Sequence, residues 1–259
     1  MKEELPHARR RFIKKSLAAT AGLMMPFMNR ASAMEQAVSA AHTHGDTGKV
    51  ILFQGDSITD GARIKNNTWD QNHQMGHGYA FAIAAQLGYR APEKQFKFFN
   101  RGISGNKLSD LAGRSETDTI AIKPDVLSIL IGVNDVDTMI QEKQDINDSS
   151  IQFEKHYGAL LMDTRSKLPD CRFIMMEPFI LPVGRVKDGW QEWSAAINKI
   201  QGVSKRVAQN AGAIFIPLQK AFEAAVLKAP AQYWIWDGIH PTPAGHELIA
   251  REWMNQVKL

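Results

Sequence analysis

The sequence predicts an α/β protein, a three-layer α/β/α sandwich around a mostly parallel sheet of five strands. Three observations predict it. From Lys49 onward, short β-branched runs alternate with longer amphipathic stretches. The short runs are continuously apolar, as in strands covered on both faces. Each is followed by a helix-length segment, the alternation that builds a parallel sheet. A length of 259 residues suits one ordinary domain plus an appendage.

The strands are expected at Val50–Gln54, Phe96–Arg101, Val126–Ile131, Arg172–Glu177 and Ala213–Pro217. Helices are expected between them at Tyr79–Leu87, Leu108–Ile122, Ser149–Leu168, Glu192–Asn210, Gln219–Leu227 and Pro243–Val257. Ser149 offers an N-cap for the third helix, and Leu168-Pro169-Asp170 a stop. Gly212 suits the end of the fourth. Residues 34–47 are small, polar and aperiodic, the composition of a linker. In an open parallel sheet, ligands bind beyond the carboxyl ends of the strands, where strand order reverses.

Four motifs fall at such positions. Gly55-Asp56-Ser57 follows the first strand, so Ser57 sits on the turn leaving the sheet edge and can present a hydroxyl to a crevice. A serine is a weak nucleophile unless a positioned base takes its proton. Asp-Ser is also an ordinary helix cap, and the surroundings are not the Gly-x-Ser-x-Gly of a nucleophile elbow. Asp237-Gly-Ile-His240-Pro241 precedes the last helix. A spacing of three across a glycine turn lets Asp237 receive the ring N–H of His240, fix its tautomer and support the imidazolium formed when Ser57 is deprotonated. Taken alone, the segment is equally an Asp-Gly turn beside a surface histidine.

Acyl transfer also needs donors aimed at a developing oxyanion. Gly102-Ile103-Ser104-Gly105 follows the second strand, and Gly132-Val133-Asn134-Asp135 the third. The Gly105 N–H, the Asn134 amide and the Ser57 N–H make a candidate three-donor hole. Each loop alone is a tight turn that needs Gly or Asn. All four at one sheet edge point to a Ser57–His240–Asp237 hydrolytic site.

Taken together, these segments resemble the four blocks of the SGNH, or GDSL-type, hydrolases, over about Lys49 to Leu259. The resemblance implies a flavodoxin-like sheet, Ser57 as nucleophile, Gly105 and Asn134 as oxyanion donors with Ser57, Asp237–His240 completing the triad, and no metal or organic cofactor. The strings 100–106 and 123–135 look most like the acetylxylan-esterase branch, which implies removal of O-acetyl groups from plant polysaccharide or oligosaccharide. A lysophospholipase or thioesterase acting on longer acyl chains is the alternative with the same machinery. A non-catalytic carbohydrate-binding protein is the alternative of another class. Trp236, Trp190 and His77 are candidate substrate contacts, since aromatic rings stack on sugar faces and also pack cores. Trp193 is assigned to the core, His246 to an ordinary helix face, and Phe179–Gly189 to a substrate-facing flap.

The first 33 residues read as a leader. Arg9-Arg10-Arg11-Phe12-Ile13-Lys14-Lys15 precedes a modest apolar run ending near Ala31-Ser32-Ala33. That pattern resembles a twin-arginine export signal, which implies an exported bacterial protein, periplasmic or secreted, with no integral membrane span after cleavage. An amphipathic anchor or a basic tail would read similarly. Seven of the 31 Lys and Arg but only two of the 27 Asp and Glu lie in this leader, leaving 24 bases against 25 acids beyond it. The basic character therefore belongs to the leader, and no nucleic-acid partner follows from it. The single cysteine, Cys171, excludes an intramolecular disulfide and reads as a half-buried small residue. His42 and His44 read as solvated linker residues, with no third metal ligand nearby.

Overall fold

The computed structural model describes residues 48–66 and 71–259; the leader at 1–33 and the linker at 34–47, with His42 and His44, lie outside them. Five strands form one sheet: β1 Val50–Gly55, β2 Lys97–Asn100, β3 Val126–Leu130, β4 Arg172–Met176 and β5 Ile214–Ile216. The order is β2-β1-β3-β4-β5, and every pairing is parallel. The sheet is thus wholly rather than mostly parallel. Each strand is placed within one or two residues of its expected limits. The central strands are mostly apolar and buried, β3 at all five residues, because helices cover both faces.

The helices are α1 Ser57–Asp60, α2 Gln71–Met75, α3 Tyr79–Arg90, α4 Leu108–Gly113, α5 Val133–Gln141, α6 Ile146–Lys167, α7 Trp190–Asn210, α8 Leu218–Val226, α9 Ala231–Trp234 and α10 Pro243–Gln256. One packed group contains α3, α8, α9 and α10, and the other α4 to α7, with β5 touched by α7 and α10. The order reverses between β1 and β3, so the loops after β1, β2 and β3 open on the same crevice.

Three helix expectations need correction. The helix expected to begin at Ser149 begins at Ile146, because Asp145 caps it by accepting from Asn147 N and Asp148 N, both at 2.9 Å. The Ser149 hydroxyl instead donates to Gln144 Oε1 at 3.0 Å. The helix expected over Leu108–Ile122 stops at Gly113, and a π-type turn at Glu116–Ile120 follows. The unexpected helix α5 buries Val133, Val136 and Met139, one face at helical spacing, within an otherwise polar segment.

The core is continuous from the sheet to the helices on both sides. Trp253 of α10 is fully buried and donates from Nε1 to the Ser128 hydroxyl of β3 at 3.0 Å. Trp193 belongs to this core. Cys171 is fully rather than half buried, and burial pushes its thiol up to about 12. Among the described residues no helix is long and apolar enough to cross a membrane.

Candidate active site

The loop after β1 is held where a side chain has no room. A Cβ on Gly55 would lie 2.3 Å from Leu130 O and from Thr59 Oγ1, so only glycine lets β1 turn here beside β3. Asp56 is then the N-cap of α1, its Oδ1 accepting from Ile58 N at 2.9 Å. Asp56 Oδ2 is buried and has no hydrogen-bond partner among the described residues. Burial is the main reason this carboxyl is pushed up to about 7, against the opposing pull of the Ile58 N–H and of His240. Ser57, the first residue of α1, faces the crevice half-buried.

The loop after β2 is clamped to α1 by buried polar groups. Asn100 donates from Nδ2 to Thr59 O at 2.6 Å and Met75 O at 2.9 Å, and its Oδ1 accepts from Gly102 N at 2.9 Å. Asp60 Oδ2 accepts from Ser104 N at 3.0 Å and Ser104 Oγ at 3.1 Å. A Cβ on Gly102 would meet Asp60 N at 2.3 Å, so glycine permits this approach. Arg63 Nε adds a bond to Gly102 O at 2.9 Å. Gly105 takes φ +83°, and a Cβ there would meet nothing within 4 Å, so its backbone borders open space.

Asn134 stands in the first turn of α5, and its Nδ2 donates to Asn106 O at 3.0 Å. This bond ties the third loop to the second. Asp135 turns the other way, accepting from Leu108 N at 3.2 Å, and burial pushes its carboxyl up to about 6. It lines a cavity of about 440 Å³ shared with Lys107, Thr138, Met139 and His156.

Asp237 and His240 meet Ser57 from across the crevice. His240 Nε2 lies 2.8 Å from Ser57 Oγ, and His240 Nδ1 lies 2.7 Å from Asp237 Oδ2. Asp237 Oδ1 accepts from His240 N at 2.7 Å and Ile239 N at 3.0 Å. Burial pushes the Asp237 carboxyl up, but the His240 ring and these two N–H groups outweigh it and hold it down at about 2. An ionised Asp237 accepting from Nδ1 leaves Nε2 as the acceptor that faces the serine hydroxyl. The turn between them needs glycine: Gly238 has φ +97°, and a Cβ would meet Val183 O at 2.5 Å.

The segment expected as a flap, Phe179–Gly189, is instead a buttress. Phe179, Ile180, Leu181, Val183 and Val186 are buried. Gln219 holds both the N–H and the carbonyl of Ile180, each at 3.1 Å, and Leu181 N donates to Gly238 O at 3.0 Å. Arg185 N donates to Asp237 O at 3.0 Å, and the Arg185 guanidinium reaches Asp137 and Asp237 at 3.5 and 4.0 Å. The apolar run Phe179-Ile-Leu is the signal that this segment packs rather than swings.

Trp236 is 61% exposed and stacks on the His240 ring with centroids 5.8 Å apart and planes 21° apart. Trp190 opens α7 and is half-buried against the core. His77 is exposed, and its backbone N donates to Gly61 O at 2.9 Å, just beyond α1. His246 is no ordinary helix-face residue. Its Nδ1 accepts from Tyr79 N at 3.2 Å at the start of α3, and burial pushes its ring down to about 4. Sequence reasoning missed this cap, and it also missed Asn100, Asp60 and Arg114 as organisers of the loops. Among the described residues no group of three or more His, Cys, Asp and Glu could hold a metal ion.

Comparison with known proteins converges on one family. Residues 53–248 match the GDSL-like lipase/acylhydrolase family. An acetylxylan esterase of Geobacillus stearothermophilus is 31% identical over 216 residues, covering 82% of this chain and 94% of that protein. Its crystal structure superposes with a TM-score of 0.69, covering 82% of this chain and 95% of the other. In that esterase, catalytic mutants have been solved at an aspartate and a histidine three residues apart. A structure from Parabacteroides merdae assigned as a GDSL-like lipase is 39% identical, with a TM-score of 0.76 over 82% of this chain and 96% of the other.

Proposed function

The chain belongs to the GDSL-like lipase/acylhydrolase family, a carboxylic ester hydrolase by that membership, and we propose that it removes O-acetyl groups from xylan-type plant polysaccharides or oligosaccharides through an acetyl-serine intermediate. The observation that carries the mechanism is the unbroken line Ser57 Oγ, His240 and Asp237, at 2.8 and 2.7 Å. The substrate assignment is supported by the 31% identity to an acetylxylan esterase and by the exposed Trp236 face beside the base.

In this mechanism His240 Nε2 takes the Ser57 proton as Oγ attacks the acetyl carbonyl. The carbonyl oxygen becomes an oxyanion held by the Ser57 N–H, the Gly105 N–H and Asn134 Nδ2. Asp237 stabilises the imidazolium that results. His240 then returns its proton to the departing sugar oxygen as the C–O bond breaks, leaving acetyl-Ser57. Water, deprotonated by His240, attacks the acyl carbonyl, and Ser57 Oγ leaves as its proton is restored, releasing acetate. Trp236, Trp190 and His77 are proposed substrate contacts.

We also read residues 1–33 as a twin-arginine leader, 34–47 as a linker and 48–259 as the hydrolase domain of an exported protein, periplasmic or secreted. The motif Arg-Arg-x-Phe-x-Lys and the small residues at 31–33 support this.

Ser57→Ala and His240→Ala should each lower kcat on p-nitrophenyl acetate by about 10⁴-fold or more, Ser57→Ala without moving the unfolding midpoint. Full activity in Ser57→Ala would sink the mechanism. Acetate release from acetylated xylo-oligosaccharides, compared with turnover of p-nitrophenyl esters up to decanoate, tests the substrate. A strong preference for long acyl chains would replace the carbohydrate reading with a lipase-type one.

A further inference from the structure

A side-chain amide can donate two hydrogen bonds but can also present its oxygen instead, by a rotation of half a turn. For Asn134 the choice is made by its neighbour. Asn106 O accepts from Nδ2 at 3.0 Å, and the flipped amide would set two carbonyl oxygens against each other. One N–H is thereby fixed on Asn106, and the second is left for a substrate oxygen. The aim of the donor is only as good as the placement of the Asn106 carbonyl.

That carbonyl lies on an exposed loop beside Gly105, whose φ of +83° opens on free space. Loops of this kind need an anchor, and the anchor here is Arg114. Its Nε donates to Asn106 Oδ1 at 2.9 Å. Its Nη1 donates to Arg101 O at 2.8 Å and to Asp118 Oδ2 at 2.9 Å, and Nη2 reaches Gly55 O at 3.4 Å. The side chain is 15% exposed, and the planar fork spans the ends of β1 and β2 at once. Asp118 accepts from the same nitrogen that meets Arg101 O and so restrains the guanidinium.

We propose that Arg114 is a positioning residue for catalysis, acting through Asn106 to aim the Asn134 amide at the oxyanion. This rests on Asn134 being an oxyanion donor. Arg114 touches neither Ser57 nor the substrate carbonyl; it fixes the loop from which Asn134 takes its orientation. Lysine keeps the charge but cannot hold Asn106 Oδ1, Arg101 O and Asp118 in one plane. Ångström-scale misplacement of a catalytic group costs up to about 100-fold in rate.

The test measures kcat and KM on p-nitrophenyl acetate, with unfolding midpoints, for Arg114→Lys, Asn106→Ala, Asn134→Ala and the Arg114→Lys/Asn134→Ala double variant. Arg114→Lys and Asn106→Ala should each lower kcat about tenfold, less than the ~10²–10³ of deleting the donor itself, with KM within about twofold. In the Asn134→Ala background, Arg114→Lys should cost clearly less in kcat than in wild type, since the group it aims is gone and only the Gly105 N–H on the same loop is left to misplace. An equal tenfold loss in both backgrounds makes Arg114 a general structural support and overturns the proposal. If Arg114→Lys does not fold, Asn106→Ala, which keeps the backbone carbonyl and the other Arg114 contacts, carries the test, and an unchanged kcat in it overturns the proposal. An unchanged kcat in Asn134→Ala would instead remove the oxyanion role on which the inference stands.

Discussion

The two sides of the candidate active-site crevice are built by different means. The serine side, from the ends of β1, β2 and β3, is held by buried polar side chains. Asn100, Asp60 and Arg114 bond the backbone of one loop to the next. Both sides contain glycines with no room for a Cβ, Gly55 and Gly102 on the serine side, but the histidine side is held mainly by backbone contacts and apolar packing. Gly184 has no space for a Cβ, which would fall 2.5 Å from Asp237, and Gly238 is as tightly placed against Val183. Apolar Val183, Val186 and Ile239 fill the space behind it. The first construction is a network in which each lost partner strands another buried polar atom. The second depends more on shape, so the loss of one hydrogen-bonding side chain costs it less.

The largest expected effect follows from that contrast. Asn100→Ala strands the carbonyls of Thr59 and Met75 and the Gly102 N–H, all buried, and should cost about 4 kcal/mol of unfolding free energy. Gln219→Ala, which frees the Ile180 backbone on the histidine side, should cost about half as much, since Ile180 stays packed in the core. Urea midpoints for the two variants decide this, and equal losses would mean that the two sides are not differently built.

The carboxyls of the two sides carry opposite pH dependence. Asp56, on the serine side, is pushed by burial from 3.8 to about 7, so the unfolded chain releases this proton first as pH rises. Its burden on stability is absent below about pH 4 and complete above about pH 7. Asp237, on the histidine side, is held at about 2, so the unfolded chain takes up this proton first as pH falls. Its contribution is complete above about pH 4 and lost as pH falls through about 2. Asp56→Asn keeps an acceptor for Ile58 N and should become more stable than wild type between pH 4 and 7, by on the order of 3 kcal/mol. Asp237→Asn should be less stable than wild type by about 2 kcal/mol at neutral pH and converge with it near pH 2. Unfolding free energies across pH 2–8 give both curves, and parallel curves for wild type and either variant would refute the assignment.

The residues proposed to carry the chemistry could be named from the chain while their supports could not, for a physical reason. Ser57, Gly105, Asn134, Asp237 and His240 lie in short segments fixed by local turn chemistry, and strand ends bring such segments together. The five strands were legible because buried strands are continuous apolar runs. The supports act across long sequence separations through ordinary polar residues. Asn100 bonds Thr59 and Met75, and Arg114 bonds Gly55, but nothing local marks either residue. Helix α6 begins three residues before Ser149 because Asp145, not Ser149, accepts from the first free N–H groups. Helix α5 stayed hidden because its Gly-Val-Asn-Asp start reads as a turn, although Val133, Val136 and Met139 carry its period. The Phe179–Gly189 segment looked like a flap because its exit from the sheet edge was visible and its burial was not.

The smallest expected effect lies where neither construction operates. Trp236 is mostly exposed; its side chain meets the site by stacking on His240, and its backbone N donates to His240 O at 3.1 Å. Its indole face is a large exposed apolar surface beside the base, and a sugar ring stacked there would be bound without altering the Ser57–His240 hydrogen bond. Trp236→Ala should therefore change stability by less than about 0.5 kcal/mol, as exposed positions do. It should raise KM for an acetylated xylo-oligosaccharide several-fold, the equivalent of about 1 kcal/mol of aromatic contact. Turnover of p-nitrophenyl acetate, which has no sugar to stack, should stay within about twofold of wild type. An equal rise in KM for both substrates would show that Trp236 acts by holding the His240 ring, and would move it from the substrate surface to the histidine-side scaffold.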